Sequence, residues 1–242
     1  IYRFTVDVTK GNTKAVLTVE KVGKVDLPAP DIFFGNDKME VTDTDIYKSD
    51  QAFTQGQMIT VTGIDNLNEW WIDPDFFEKQ SDGALKFLPI NGDYRVTANA
   101  VLKYFSVMAL KDGKPAKLQD DGTGAIWAIG KGIGKPSVTS SEVGWEPSKA
   151  LCLAQVASKK YQLTLKAGET LKTSGDPEVI SFKFFHQNDW GGEFGNYASS
   201  ILVEQLKLAD SGNLEMQDNK AFEEGAVYRS VSYTHLTLPT TS

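Results

Sequence analysis

The chain has 242 residues, with 32 acidic against 25 basic side chains and a net charge of −7, so it lacks the basic surplus that a phosphate backbone demands. Its 40% apolar and 24% charged residues are those of a packed globular protein rather than a disordered one, and no apolar run approaches the roughly 20 residues of a membrane-spanning helix. A single cysteine, Cys152, excludes an internal disulfide or a cysteine metal cluster, and its setting between Leu151 and Leu153 marks it as a core side chain.

Taken in chain order, Tyr2-Arg3-Phe4-Thr5-Val6-Asp7-Val8 alternates apolar and polar residues as a half-buried strand does, and Ala15 to Glu20 supplies a partner. Residues 1–26 therefore read as the terminal hairpin of a preceding module, closed by Leu27-Pro28-Ala29-Pro30. A module over 30–110 opens with Ile32-Phe33-Phe34-Gly35, continues through a middle strand at Gln57 to Thr62, and ends in a hairpin of Tyr94 to Ala100 and Tyr104 to Leu110. Lys111-Asp112-Gly113-Lys114-Pro115 through Asp120-Asp121-Gly122 then reads as a linker.

The module over 115–230 repeats the plan, with an apolar strand at Ala125 to Gly130, a middle strand at Lys160 to Leu165 and alternation at Ile180 to Phe184. Ile201 to Leu208 fits a strand or a short helix, and a third Tyr-Arg pair stands at Tyr228-Arg229. No stretch keeps helical periodicity for three turns. Short alternating strands between Gly, Asp, Asn and Pro turns predict an all-β chain of tandem β-sandwiches, immunoglobulin-like or carbohydrate-binding-module-like. Residues 231–242, Val231 to Ser242, resemble the translation of a sequencing adaptor and are expected to be an artefactual tail. Without His235 the chain keeps one histidine, His186, which excludes a multi-histidine metal site.

Several motifs carry chemistry only on paper. Gly130-Lys131-Gly132-Ile133-Gly134-Lys135-Pro136 has the glycine density of a phosphate loop, but Pro136 stands where a Ser or Thr is needed, and a plain glycine loop after a strand is expected. His186 has no Gly-x-Ser-x-Gly nucleophile to serve. The acidic pairs Asp43/Asp45, Asp73/Asp75 and Asp120/Asp121 match no EF-hand spacing and read as solvated turns rather than calcium ligands. No cofactor is expected, and no pair of carboxylates is singled out for glycoside hydrolysis.

The aromatics are more telling. Trp127, Phe182 and Phe184 lie in alternating strands and belong to the core, whereas Trp70-Trp71, Trp145 and Trp190 sit in turn-rich, polar company. An indole beside Asn, Asp, Gln and Lys suits a sugar, whose C–H face stacks on the ring while its hydroxyls bond the polar groups. The bland alternative is that each Trp caps one end of its own sandwich. Glycines on the C-terminal side of Trp190 make it the strongest candidate for an open face.

The run Gly124-Ala125-Ile126-Trp127-Ala128-Ile129-Gly130, then Val143-Gly144-Trp145, Tyr161 to Leu165, Ser181-Phe182-Lys183-Phe184-Phe185 and Trp190-Gly191-Gly192-Glu193-Phe194, resembles the modules of SusE/SusF-like surface glycan-binding lipoproteins of Bacteroidetes. The resemblance implies a non-catalytic, cell-surface binder that holds a polysaccharide or oligosaccharide near an outer-membrane importer. Its membrane attachment would run only through a lipid anchor on a segment outside this sequence. By the same resemblance Trp145 and Trp190 are the stacking platforms, and Lys183, His186, Asn188 and Asp189 the polar partners. The competing class is a structural spacer or protein-interaction module with no glycan site.

Overall fold

A computed structural model of the chain describes residues 2–7, 15–23, 29–173, 179–194 and 203–233. The chain forms two compact units, Ile1–Pro30 and Asp31–Ser242. In the first, β1 (Tyr2–Asp7) and β2 (Val16–Lys21) pair antiparallel from Tyr2↔Lys21 to Asp7↔Val16. Directly opposed residues share a face, so Phe4 meets Val19 and Val6 meets Leu17, while on the opposite face Arg3 reaches Glu20 at 3.4 Å.

The second unit opens with a module built from β3 (Phe33–Phe34), β4 (Asp37–Lys38), β5 (Glu40–Asp43), β6 (Ile46–Phe53), β7 (Met58–Ile59), β8 (Val61–Thr62), β9 (Phe77–Lys79), β10 (Leu85–Phe87), β11 (Gly92–Asn99), β12 (Tyr104–Lys111) and β13 (Lys114–Pro115). A five-stranded sheet in the order β13-β12-β11-β6-β5 faces two small sheets, β7-β10-β9 and β4-β3-β8. Between them lies an aromatic core in which Phe34 packs edge-on against Phe53, Phe77 and Phe105. The second module runs through β14 (Trp127–Gly134), β15 (Glu142–Gly144), β16 (Leu151–Cys152), β17 (Ala154–Ala157), β18 (Lys160–Lys166), β19 (Ser181–Phe185), β20 (Leu206–Leu208), β21 (Leu214–Met216) and β22 (Val227–Tyr233). One sheet has the order β15-β14-β19-β21-β20, with β16 also on β14, and the other is β17-β18-β22. The protein is all-β in tandem sandwiches, with one short α-helix, α1 (Val138–Ser141), among the described residues.

The Tyr-Arg pairs at 94–95 and 228–229 have a common physical role. Tyr94 is buried at the start of β11 and its hydroxyl donates to the Ile90 carbonyl at 2.8 Å, four residues upstream. Tyr228 repeats this in β22, where its hydroxyl accepts the Glu223 N–H at 3.3 Å. Each tyrosine thus pins the turn that delivers its strand, as a tyrosine corner does in immunoglobulin-like sandwiches. The following arginine points outward and bonds the neighbouring strand, Arg95 to both oxygens of Asp50 at 2.7 and 2.6 Å and Arg229 to Thr164 at 3.1 Å.

The structure departs from the sequence reading in four places and, separately, pairs the start of the expected tail. Gln57 to Thr62 is two short strands in different sheets rather than one, because β7 pairs with β10 and β8 with β3. The glycines at 130–134 form no loop; they continue β14, where they let neighbouring chains close in. A Cβ on Gly130, at φ +143, would lie 2.3 Å from the Phe182 Cα, and one on Gly134 would lie 2.4 Å from the Ser141 carbonyl oxygen. The linker is knitted into both modules: β13 folds back on β12, Ala116 O accepts the Trp127 indole N–H at 3.0 Å, and Leu118 N–H donates to His186 O at 2.8 Å. At the C-terminal end, β22 runs on through Tyr233, with Val231 opposite Gln162, Ser232 opposite Tyr161 and Tyr233 opposite Lys160, so the first residues of the expected tail are paired. Leu27, Pro28, Ile201 and Thr234 to Ser242 lie outside the described residues, and β20 occupies the end of the stretch read as strand or helix.

The fourth departure is Asp73 and Asp75, which are buried rather than solvated. Lys135 of the second module donates to Asp73 at 2.7 and 2.9 Å and to Asp75 at 3.0 Å. Asp75 also accepts Thr164 N–H and Oγ1, each at 2.6 Å, and Gln162 Nε2 at 3.1 Å. Burial pushes all three groups toward neutrality. In Asp73 burial prevails and the carboxyl sits above its usual range; in Asp75 the ammonium and the Thr164 bonds prevail and the pKa is lowered. Lys135 is held above its usual value by the two carboxylates despite its burial. Three further bonds cross the same junction: Trp71 Nε1 to Glu169 at 2.8 Å, Gln55 Nε2 to Val156 O at 3.0 Å and Ile90 N to Gln155 O at 2.8 Å.

Candidate functional site

Strand β19 alternates, burying Phe182 and Phe184 against the sandwich core, and then turns back on itself. The return is held by His186 N–H to Gly192 O at 2.7 Å and Phe194 N–H to Phe184 O at 3.0 Å. Gly191 and Gly192 take φ of +81 and +67, a left-handed pair that glycine adopts without strain and that lets the chain reverse. Trp190 stands at the tip, where Asp189 Oδ1 accepts its backbone N–H at 2.8 Å and Gln187 Nε2 donates to its carbonyl at 2.6 Å.

Trp145 arrives from a different element. It follows Gly144 at the end of β15, which pairs with β14, the neighbour of β19. The sheet order thereby brings two loops distant in sequence to one place. The indoles of Trp145 and Trp190 stack at 6.3 Å between centroids and 25° between planes, and Phe185 meets Trp190 edge-on at 6.1 Å. Trp145 is half-buried against the core, whereas Trp190 leaves 52% of its surface in solvent. A large aromatic held firmly on one side and wet on the other is suited to stacking on a ligand.

Of the polar residues expected beside them, His186, Asn188 and Asp189 share the Trp190 hairpin. The His186 ring lies edge-on to Phe194 at 4.1 Å, and partial burial holds its pKa below the ordinary histidine value, leaving a neutral imidazole that both donates and accepts. Asn188 Oδ1 is buried without a hydrogen-bond partner among the described residues, so in this conformation it does not face the exposed side of Trp190 as a ready acceptor. Asp189 is engaged in holding Trp190 N–H. Lys183 is drawn elsewhere: its ammonium donates to the Ser211 carbonyl at 2.7 Å, on the turn between β20 and β21.

The first module's tryptophans divide. Trp70 is buried and stacks on Phe105 at 4.5 Å and 20°, a packing role. Trp71 turns into the module junction, where Glu169 fixes its N–H and the Lys135 ammonium lies 5.9 Å from its ring. Phe185 stands in the sequence motif without a role of its own, yet it meets Trp190 edge-on; its place directly after Phe184, which breaks the alternation, is the signal that sets it apart.

Two family models match the chain in tandem. Residues 14–118 match one described as a domain of unknown function (DUF5125), and residues 121–234 match another, also a domain of unknown function (DUF5121). The boundary between them falls at the turn in which Gly122 N–H bonds Gln119 O at 2.9 Å. Among curated proteins, none matches the chain.

Proposed function

We propose that this chain is a non-catalytic saccharide-binding part of a bacterial cell-surface protein, retaining a polysaccharide at the outer membrane for uptake by a glycan importer. The observation that carries this reading is the Trp145–Trp190 pair, two indoles from separate loops brought into one stack with Trp190 half in solvent. Exposing an indole forgoes the burial that would stabilise the fold, and a ligand that covers it recovers that energy. The imidazole of His186, exposed on the same hairpin with its pKa lowered by partial burial, adds hydroxyl-bonding capacity. The resemblance to SusE/SusF-like lipoproteins supports the cellular setting, and the tandem domains are compatible with it. A net charge of −7 favours a neutral glycan over an acidic one.

A glycan array probed with the full chain tests this directly. Retention of neutral polysaccharides that is lost on replacing Trp190 with Ala is the expected result. Absence of any bound glycan at millimolar concentration would leave the chain a spacer.

A further inference from the structure

The junction between the two modules forms a cleft of about 510 Å³, within the usual range for a small-molecule site. Its first wall is the outer face of β12. That strand turns Phe105 and Val107 into the core and leaves Tyr104, Ser106 and Met108 half-buried on the opposite side. Its second wall is the α1 turn of the second module, with Thr139, Ser140 and Ser141. Trp71 closes one end, beside Asp73 and Lys135.

We infer that this cleft binds a short neutral saccharide, or one end of a longer chain. Charge argues for a neutral occupant. Every charged side chain lining the cavity already has an opposite partner: Lys135 with Asp73 at 2.7 Å, Glu142 with Lys172 at 2.9 Å, and Lys149 with Glu146 at 3.0 Å. Only the Lys135–Asp73 pair is buried, but the lining carries two anions and two cations and so offers an ionic ligand no net countercharge in return for its hydration. Hydroxyls argue for a polyol. Thr139, Ser140 and Ser141 set hydroxyls along the second wall, with Ser140 Oγ 3.4 Å from Ser141 Oγ and braced at 2.8 Å by Ser137 Oγ, the cap of the α1 turn outside the cleft, and Ser106 stands on the other wall. The aromatic rings of Trp71 and Tyr104 supply apolar surface for sugar C–H groups. Trp71 is positioned by Glu169, so the pocket is complete only when the two modules are docked. The choice of a saccharide as the ligand class rests on the function proposed above; the location and the neutrality do not.

The test separates the two sites. In the Trp190→Ala protein, a panel of neutral disaccharides to tetrasaccharides (malto-, cello-, xylo- and manno-series) is followed by ligand-observed NMR, with oligogalacturonate as the anionic comparison. At least one neutral oligosaccharide should still bind. Filling the cleft from either wall, with Ser106→Phe or Ser140→Phe in the same background, should weaken that binding by about tenfold or more. Two walls are used so that one variant failing to fold leaves the other decisive. Binding that disappears with Trp190→Ala alone sinks the cleft and leaves the loop reading intact. Binding unchanged by Trp190→Ala but lost on filling sinks the loop reading and upholds the cleft. Binding that survives both filled variants, preference for oligogalacturonate, or no binding by any protein overturns the inference.

Discussion

Lys135 and Asp75 meet at 3.0 Å across the junction of two modules, both side chains buried and 60 residues apart in sequence. Two ions taken out of water lose their hydration, and the geometry here returns it: Asp75 collects four donors and Lys135 is shared between two carboxylates. Removing one member leaves the others uncompensated. Lys135→Met should therefore cost about 3–5 kcal/mol in urea unfolding, whereas Asp73→Asn, which also removes a like-charge repulsion from Asp75, should cost less. Equal losses for the two variants would show that the repulsion is negligible.

The same three groups set a pH profile. Asp75, with its pKa below the unfolded value near 3.9, contributes stability that is present above that value and is lost as pH falls through the lower, folded one. Asp73, with its pKa raised, works in the opposite sense and is relieved of strain as it takes up a proton on acidification. Lys135, with its pKa raised, contributes stability that is complete below about 10.4 and is lost above it. From these three groups, stability measured by denaturant titration should rise as Asp73 takes up its proton on mild acidification, fall once Asp75 is protonated, and fall again in strong alkali. In Asp73→Asn the relief on mild acidification should vanish; if the profile is unchanged, Asp73 is not the group that titrates.

Trp190→Ala should weaken glycan binding by about 1–3 kcal/mol while leaving the melting temperature within a few degrees of the parent, because a half-exposed platform contributes more to a ligand than to the fold. Trp145→Ala should lower both affinity and stability, since that ring also packs on the core. Calorimetry of binding and of unfolding on the same samples checks the pair of expectations.

Cys152 is buried, and burial pushes its thiol up to about 12. With so little thiolate at neutral pH, iodoacetamide should leave it unmodified in the folded protein and alkylate it after unfolding in urea. Rapid labelling of the native protein, read by mass, would place the thiol at an accessible site instead.

Truncation after Ser230 removes three register pairs from the β18–β22 edge. A few lost ladder bonds at about 0.5–1.5 kcal/mol each should lower the melting temperature by roughly 2–8 °C. No change would mean that Val231 to Tyr233 add pairing without adding stability.

The strands were legible because side-chain alternation is local. Tyr94 to Ala100 declares β11 within seven residues, and its Tyr-Arg opening recurs at Tyr228-Arg229, where again the tyrosine bonds the preceding turn and the arginine the neighbouring strand. The buried triad was not legible, because nothing near Asp73-Pro74-Asp75 announces a lysine arriving from the end of β14. Adjacent tryptophans were equally opaque: Trp70 and Trp71 look alike in sequence, yet one stacks inside the first module and the other is claimed by Glu169 of the second. Lys183 shows the limit of proximity in sequence, since alternation between Phe182 and Phe184 sends it to Ser211 instead of toward Trp190.

The connector between the modules has a mechanical meaning. Leu118 is hydrogen-bonded to His186, the first residue of the Trp190 hairpin, so tension along the backbone between the modules reaches the base of that loop. Lys135 with its two carboxylates and Trp71 with Glu169 act in parallel with the connector. Load is thus shared between the connector and these links, of which the Lys135 triad, buried from solvent, is the one whose separation would leave charges uncompensated.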